Sequence, residues 1–207
     1  MDSIRAEYSN PRKDGGSTPT STLQFRKKDW VVADAHLVDA QQLVRQYHYA
    51  KGGSNTAVYV HGLWHRATNA LYGVAWWLPP TRVVCESVDK ENWTKVLSLT
   101  RLVILPGVPS NACSFLLAHS VRLMRVDNRF TALVTYADES QGHSGAIYLA
   151  ANWRYVGRTG PYPRWIDPTS GRQVHPKATK NRTKAQMNAL GYVLVGKFHK
   201  HKYVLFL

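Results

Sequence analysis

The sequence predicts a mixed α/β (α+β) fold, a central sheet with flanking helices, and three observations carry that expectation. Apolar residues at helical spacing alternate along the chain with short runs of β-branched residues. Some of these runs are neighbours joined by a turn and others are separated by helices, so the sheet needs both antiparallel and parallel connections. Finally, 44% apolar against 19% charged residues in a chain of 207 allow one domain with a real core.

Taken in order, residues 9–22, with Pro11, Gly15, Gly16, Ser17 and Pro19, read as part of a flexible leader placed at 1–28, and order is expected from Leu23 or Trp30. Residues 35–47 space Leu37, Val38, Ala40, Leu43, Val44 and Tyr47 as a helix, with Asp34 as the expected N-cap. Residues 56–63 and 70–78 flank a polar turn and read as a hairpin, stopped by Pro79 and Pro80. A short helix is expected at 93–96 and a buried strand at 96–105, ended by Pro106 and Gly107. Pro109, Ser110 and Asn111 then open an amphipathic helix over 112–126. A strand at 131–136, a short helix at 145–152 and a strand from 155 finish a catalytic core placed at 29–157. After a Pro- and Gly-rich excursion at 160–176, residues 183–190 read as a helix, and 192–198 with 203–207 as a terminal hairpin in a basic extension, 158–207.

The net charge is +14 and unevenly spread: residues 29–157 hold eleven basic and nine acidic residues, residues 158–207 ten and one. Charge segregated in this way and mixed with aromatics points to a polyanion, nucleic acid first. No apolar run approaches the ~20 residues of a membrane span. The opening residues, with Asp2, Glu7 and Asp14, do not read as a signal peptide. Cys85 and Cys113 are too few for a disulfide scaffold or a zinc cage and are expected as free thiols in a reducing cytosol.

Three clusters carry the polar chemistry. Asp138, Glu139, Ser140, Gln141 and His143, with Gly142 and Gly145 bracketing the histidine, follow a strand's C-terminal end, where open α/β sheets carry their sites. Tyr47, His48 and Tyr49 end the first helix and offer an imidazole and two phenols as base, stacking surface or metal ligands. His48 and Asp138, with His143 and Glu139, are also compatible with non-haem iron. In the third cluster, alternation puts Tyr72 and Trp76 on one strand face and Trp77 on the other. His61 and His65 are expected at the hairpin surface, and His199 and His201 in a phosphate-facing basic turn. The strand carrying Arg101, followed by the Gly107 loop and a helix, is an anion-site arrangement, but neither a Walker loop nor a dinucleotide fingerprint.

The element order resembles the GNAT acyltransferase fold, with one Gly and two Pro where that family's loop usually reads Arg/Gln-x-x-Gly-x-Gly/Ala. The stretch from Asp138 through Gly142, His143, Ser144, Gly145 and Tyr148 to Asn152, Trp153 and Gly157 is similar to the signature of the Mom family of phage DNA-modification proteins. So are Tyr47, His48 and Tyr49, and the Arg101 strand leading into Pro106–Ala112. This resemblance implies conversion of adenine in double-stranded phage DNA to N6-carbamoylmethyladenine in the host cytoplasm, with restriction evasion as the benefit. It also implies association with iron, here through His48, Tyr49 and Asp138, and a donor that is either an acyl-CoA or another glycine- or acetyl-type molecule. A homodimer is an assembly open to it, and a membrane is not among its partners.

On this reading Asp138, then His48, act on N6, with Tyr49 and Tyr47 as the pocket wall and Tyr148 as donor to a leaving group. Arg101, Ser110, Asn111 and Ser114 line the donor side, His143 and Asn152 complete the substrate site, and Lys177, Lys180, Arg182, Lys184, Lys197, Lys200 and Lys202 hold phosphates. Two rivals stand beside it: an N-acetyltransferase for a protein or small-molecule amine, and a non-catalytic DNA-binding module.

Overall fold

The computed structural model describes residues 25–174 and 176–207, with Pro176 and Lys177 described by backbone alone. Most of the expected leader, residues 1–24, and the side chain of Lys177 thus lie outside the described residues.

The strands are β1 (Trp30–Asp34), β2 (Tyr59–His65), β3 (Ala70–Leu78), β4 (Val96–Ile104), β5 (Ala132–Asp138), β6 (Arg154–Arg158), β7 (Tyr162–Ile166), β8 (Val193–Phe198) and β9 (Lys200–Phe206). The helices are α1 (Leu37–Tyr47), α2 (Arg82–Glu86), α3 (Ala112–Asp127), α4 (Ala146–Ala150), α5 (Pro176–Thr179) and α6 (Lys184–Ala189). Seven strands form one sheet in the order β1-β2-β3-β4-β5-β9-β6, and β7 pairs with β8 in a separate ribbon. Only β4 and β5 run parallel; every other pair in the main sheet is antiparallel. The mixed sheet with flanking helices is the architecture the sequence predicted.

Periodicity explains the packing. On α3, Ala112, Leu116, Leu117, Ser120, Val121 and Met124 fall on one face and are buried against Leu63, Trp77, Leu97 and Leu133 of the sheet. The helix stops at Asn128, whose left-handed backbone lets its N–H bond Met124 O. α1 buries Ala40 and Val44 with Val74, Trp76 and Val103. Cys85 of α2 packs with Val96, Val134 and Val204. Among the described residues, no helix is long and apolar enough to cross a membrane.

Several expectations need correction. The first helix begins at Leu37 with His36 at its N-cap, because Asp34 is taken up as the last residue of β1, paired with His61. The terminal hairpin does not form: β8 pairs with β7, and β9 fills the gap between β5 and β6. Only His199 separates β8 from β9, too little for even a two-residue hairpin turn. The Pro- and Gly-rich excursion contains β7. Tyr72 joins Trp77's cluster rather than Trp76's, because β2 pairs Leu63 with Gly73 and Trp64 with Leu71, leaving Tyr72 as the extra residue of a bulge. His61 is 2% exposed, with Nδ1 2.6 Å from Ser120 Oγ, so it is a core residue. His199 donates Nδ1–H inward to Thr159 O at 2.7 Å.

Candidate active site

The sheet supplies the opening. β4 and β5 pair only from Val96↔Ala132 to Ser98↔Val134, although β4 runs on to Ile104 and β5 to Asp138. Thr135 Oγ1 donates to Leu99 O at 3.1 Å where they part. Beyond that point no ladder joins the two strands, and they part toward their C-terminal ends.

One wall comes from the segment after α1. Arg101 donates Nε to Gly52 O at 2.9 Å and Nη1 to Thr100 O at 2.6 Å. A Cβ on Gly53 would lie 2.6 Å from the buried Trp76 ring, so glycine is what lets this segment settle onto the sheet. The His48 and Tyr49 rings stand 4.2 Å apart, and Tyr49 meets His143 edge-on at 5.7 Å. His48 Nδ1 accepts the Ala50 N–H at 3.0 Å, so the neutral ring carries its proton on Nε2. Burial, then the charge of Arg101, then His143 and Lys51, push its pKa down to about 3. The His48 ring is therefore neutral at physiological pH and presents its Nε2 proton as a donor. Tyr49 keeps its proton: burial, then the carboxylate of Asp138, push it up to about 12 against the pull of Arg101.

The opposite wall is built on Asp138, the last residue of β5 and only 6% exposed. Its Oδ1 accepts from Ser140 N–H at 3.0 Å, from Ser140 Oγ at 2.7 Å and from the Tyr162 hydroxyl. Its Oδ2 has Lys200 Nζ at 3.9 Å, from the residue paired opposite it on β9. The following loop is drawn in by Tyr203, whose hydroxyl donates to Ser144 O at 2.7 Å. The His143 N–H bonds Asp138 O at 3.3 Å, and burial lowers the His143 pKa despite the pull of Asp138.

Tyr148 of α4 packs on Tyr203 and Trp153, and burial holds its phenol protonated, at about 12. A hydrogen bond with Thr135 of β5 pulls the other way, while Cys113, in the first turn of α3, and Tyr49 add to the rise. At the start of α3, Asn111 has φ 75° and makes no side-chain cap, while Ser114 Oγ donates to Asn111 O at 2.9 Å. Pro109 O takes the Ala112 N–H at 3.3 Å, but no side chain caps the helix, so the amides that follow remain open to an anion, although Pro106 and Pro109 contribute none.

The remaining expected residues stand on the flanking elements. Tyr47 is half-buried at the end of α1 and packs with Ala40 and Val44. Ser110 is exposed beside Asn111, and Asn152 is an exposed left-handed turn residue after α4. Lys180, Arg182, Lys184 and Lys197 are exposed. Lys202 donates to Ser87 Oγ at 2.7 Å, and burial lowers its pKa. Lys200 belongs to the Asp138 cluster. Sequence reasoning missed Tyr162 and Arg164, whose spacing of two on a strand was hidden by Pro161 and Pro163.

The iron expected at His48, Tyr49 and Asp138 finds no support in the structure. Nδ1 of His48 and Oδ1 of Asp138 already accept hydrogen bonds. Among the described residues, no group of three or more His, Cys, Asp or Glu side chains could hold a metal ion.

No curated protein matches the chain. Among solved structures, it is similar to a mosquito arylalkylamine N-acetyltransferase-like 5b, with a TM-score of 0.52 and 12% identity over 86% of this chain and 100% of that one. It is also similar to Arabidopsis thaliana NAA60 in complex with a bisubstrate analogue, with a TM-score of 0.52 and 9% identity over 86% of this chain and 97% of that one. An N-acetyltransferase from Staphylococcus aureus Mu50 gives a TM-score of 0.51 and 9% identity over 86% of this chain and 98% of that one. At such identities the likeness is one of fold, and the fold is that of the GNAT acetyltransferases. The profile of the Mom protein family matches residues 29–207, from β1 to the last residue, and the chain belongs to that family.

Proposed function

We propose that this protein is a transferase that acts on the N6 amine of adenine in double-stranded phage DNA, giving the N6-carbamoylmethyl form in the host cytoplasm and so shielding the DNA from restriction enzymes. The observation that carries the reading is the Asp138 carboxylate: buried at the mouth of the splayed strands, with Oδ1 saturated and Oδ2 left to meet a new donor. Family membership and the basic residues 158–207 support DNA as the acceptor.

Adenine N6 is conjugated with its ring, a poor nucleophile, and inaccessible inside a duplex, so the base must be extruded into a pocket. Tyr49 is the flat wall of that pocket, and His48 supplies an N–H from Nε2 toward an acceptor. Asp138 Oδ2 accepts the N6 hydrogen, orients the amine and takes its proton as the new bond forms, with the Lys200 charge close by. Tyr148, still protonated, gives a proton to the departing group. Arg101 and the uncapped start of α3, beside Asn111 and Ser114, hold the donor, an acyl-CoA or a related two-carbon donor. A carbamoylmethyl group makes an alkylated amine, which simple acetyl transfer does not give: the N6–CH2 bond forms as the methylene's bond to a leaving group breaks, the N6 proton passing to Asp138 and the leaving group departing with the Tyr148 proton, so the donor is a two-carbon, glycine-derived unit activated at its methylene.

The test is to express the protein in bacteria carrying a plasmid and to analyse plasmid nucleosides by mass spectrometry. A modified deoxyadenosine that depends on the protein is expected. Unmodified adenine together with acetylated protein or small-molecule amines would overturn the proposal.

A further inference from the structure

We infer that Tyr162 is the positioning residue of Asp138, so that the β7–β8 ribbon is a working part of the active site; this rests on the proposed role of Asp138 as acceptor of the N6 proton. A carboxylate at a strand end can rotate, and its two local contacts, both from Ser140, are those of an ordinary Asx-type turn. The third contact comes from a different sheet. Tyr162 on β7 donates its hydroxyl to the same Oδ1 and lies 3.1 Å from Ser140 Oγ. Two residues further along β7, Arg164 donates Nη1 to Ser140 O at 2.7 Å.

The ribbon thus grips both the carboxylate and the backbone that caps it. Arg164 Nε is buried without a hydrogen-bond partner among the described residues, so Nη1 is the atom that fixes this side chain on Ser140. The Tyr162 ring also supports the cation opposite: Lys200 Nζ stands 5.4 Å from the ring centroid and 3.9 Å from Asp138 Oδ2. With Oδ1 occupied by three donors, Oδ2 is the oxygen left for the substrate, and Tyr162 acts through Asp138 without touching the reacting atoms.

The discriminating variant is Tyr162→Phe, which keeps the ring beneath Lys200 and removes only the hydroxyl. Modified adenine formed at saturating DNA should fall roughly tenfold or more, as for loss of a hydrogen bond to a charged group, while the Kd for DNA stays at the parental value. Thermal unfolding, which needs no substrate, supplies a second arm: Tyr162→Phe and Asp138→Asn together should lower Tm by less than the sum of the two single changes. A Phe variant that works at the parental rate, or strictly additive Tm losses, would overturn the inference. A parent protein that makes no modified adenine would instead refute the proposed function, and the unfolding cycle would still decide the contact.

Discussion

His48 shows how much a single backbone contact changes a side chain's chemistry. As a histidine beside two tyrosines it suggests a base or a ligand, but with the Ala50 N–H on Nδ1 and Arg101, His143 and Lys51 around it, it is a neutral donor. The unfolded imidazole titrates near 6.5 and the folded one near 3, so between those values the unfolded chain binds more protons. The stability present above pH 6.5 is therefore lost as the pH falls through this window, and His61 and His143, both lowered by burial, act with the same sign. Melting temperature should drop from pH 6.5 toward pH 4, and His48→Gln should flatten the drop; a variant with the parental slope would contradict this placement of the ring. At this scale the sequence was informative where chemistry clusters locally: Asp138, His143, His48 and Tyr49 converge. Tyr162 and Arg164 were not legible, because their partners lie more than twenty residues away and prolines mask their strand.

Individual elements set the cleft through their backbones. Gly145 precedes α4 with φ 75°, and a Cβ there would come within 2.4 Å of the Tyr203 ring. Gly145→Ala should cost about 1–2 kcal/mol for the left-handed backbone alone, a loss of at least ~2–4 °C in Tm for a chain of this size. It should also reduce modification, since the same loop carries His143; a calorimetric Tm equal to the parent's would contradict it. The periodic elements, α1, α3 and the β2–β3 hairpin, could be read from spacing. The partners of β8 and β9 could not, because pairing is decided by which edges are open: β9 brings Tyr203 and Val204 into the core between β5 and β6. Similarly, alternation misplaced Tyr72 because a bulge is a feature of two paired strands together and leaves no mark in one of them.

For the whole molecule, the surplus of positive charge divides between two tasks. Lys200 and Lys202 lie on a strand inside the main sheet, one at Asp138 and the other on Ser87, whereas Lys180, Arg182, Lys184 and Lys197 remain exposed. Replacing Lys184 and Lys197 by Ala should weaken binding to all DNA sequences alike and reduce the slope of log K against log salt by about 0.9 for each phosphate no longer neutralised. Binding isotherms at several salt concentrations measure this, and an unchanged slope would remove these residues from the DNA surface. The charge asymmetry was legible from composition; which cations face inward depended on the path of β9.

The central claim is that the Asp138 cleft modifies adenine, and Asp138→Asn addresses it most directly. The amide keeps the size of the carboxylate but cannot take a proton. Plasmid nucleosides from cells expressing either protein should be compared by mass spectrometry, alongside Tm and DNA affinity. The account predicts parental DNA affinity, a folded variant and modified deoxyadenosine reduced by ~10²–10⁴-fold, as loss of a general base entails. Modified deoxyadenosine at the parental level from the Asn variant would contradict it.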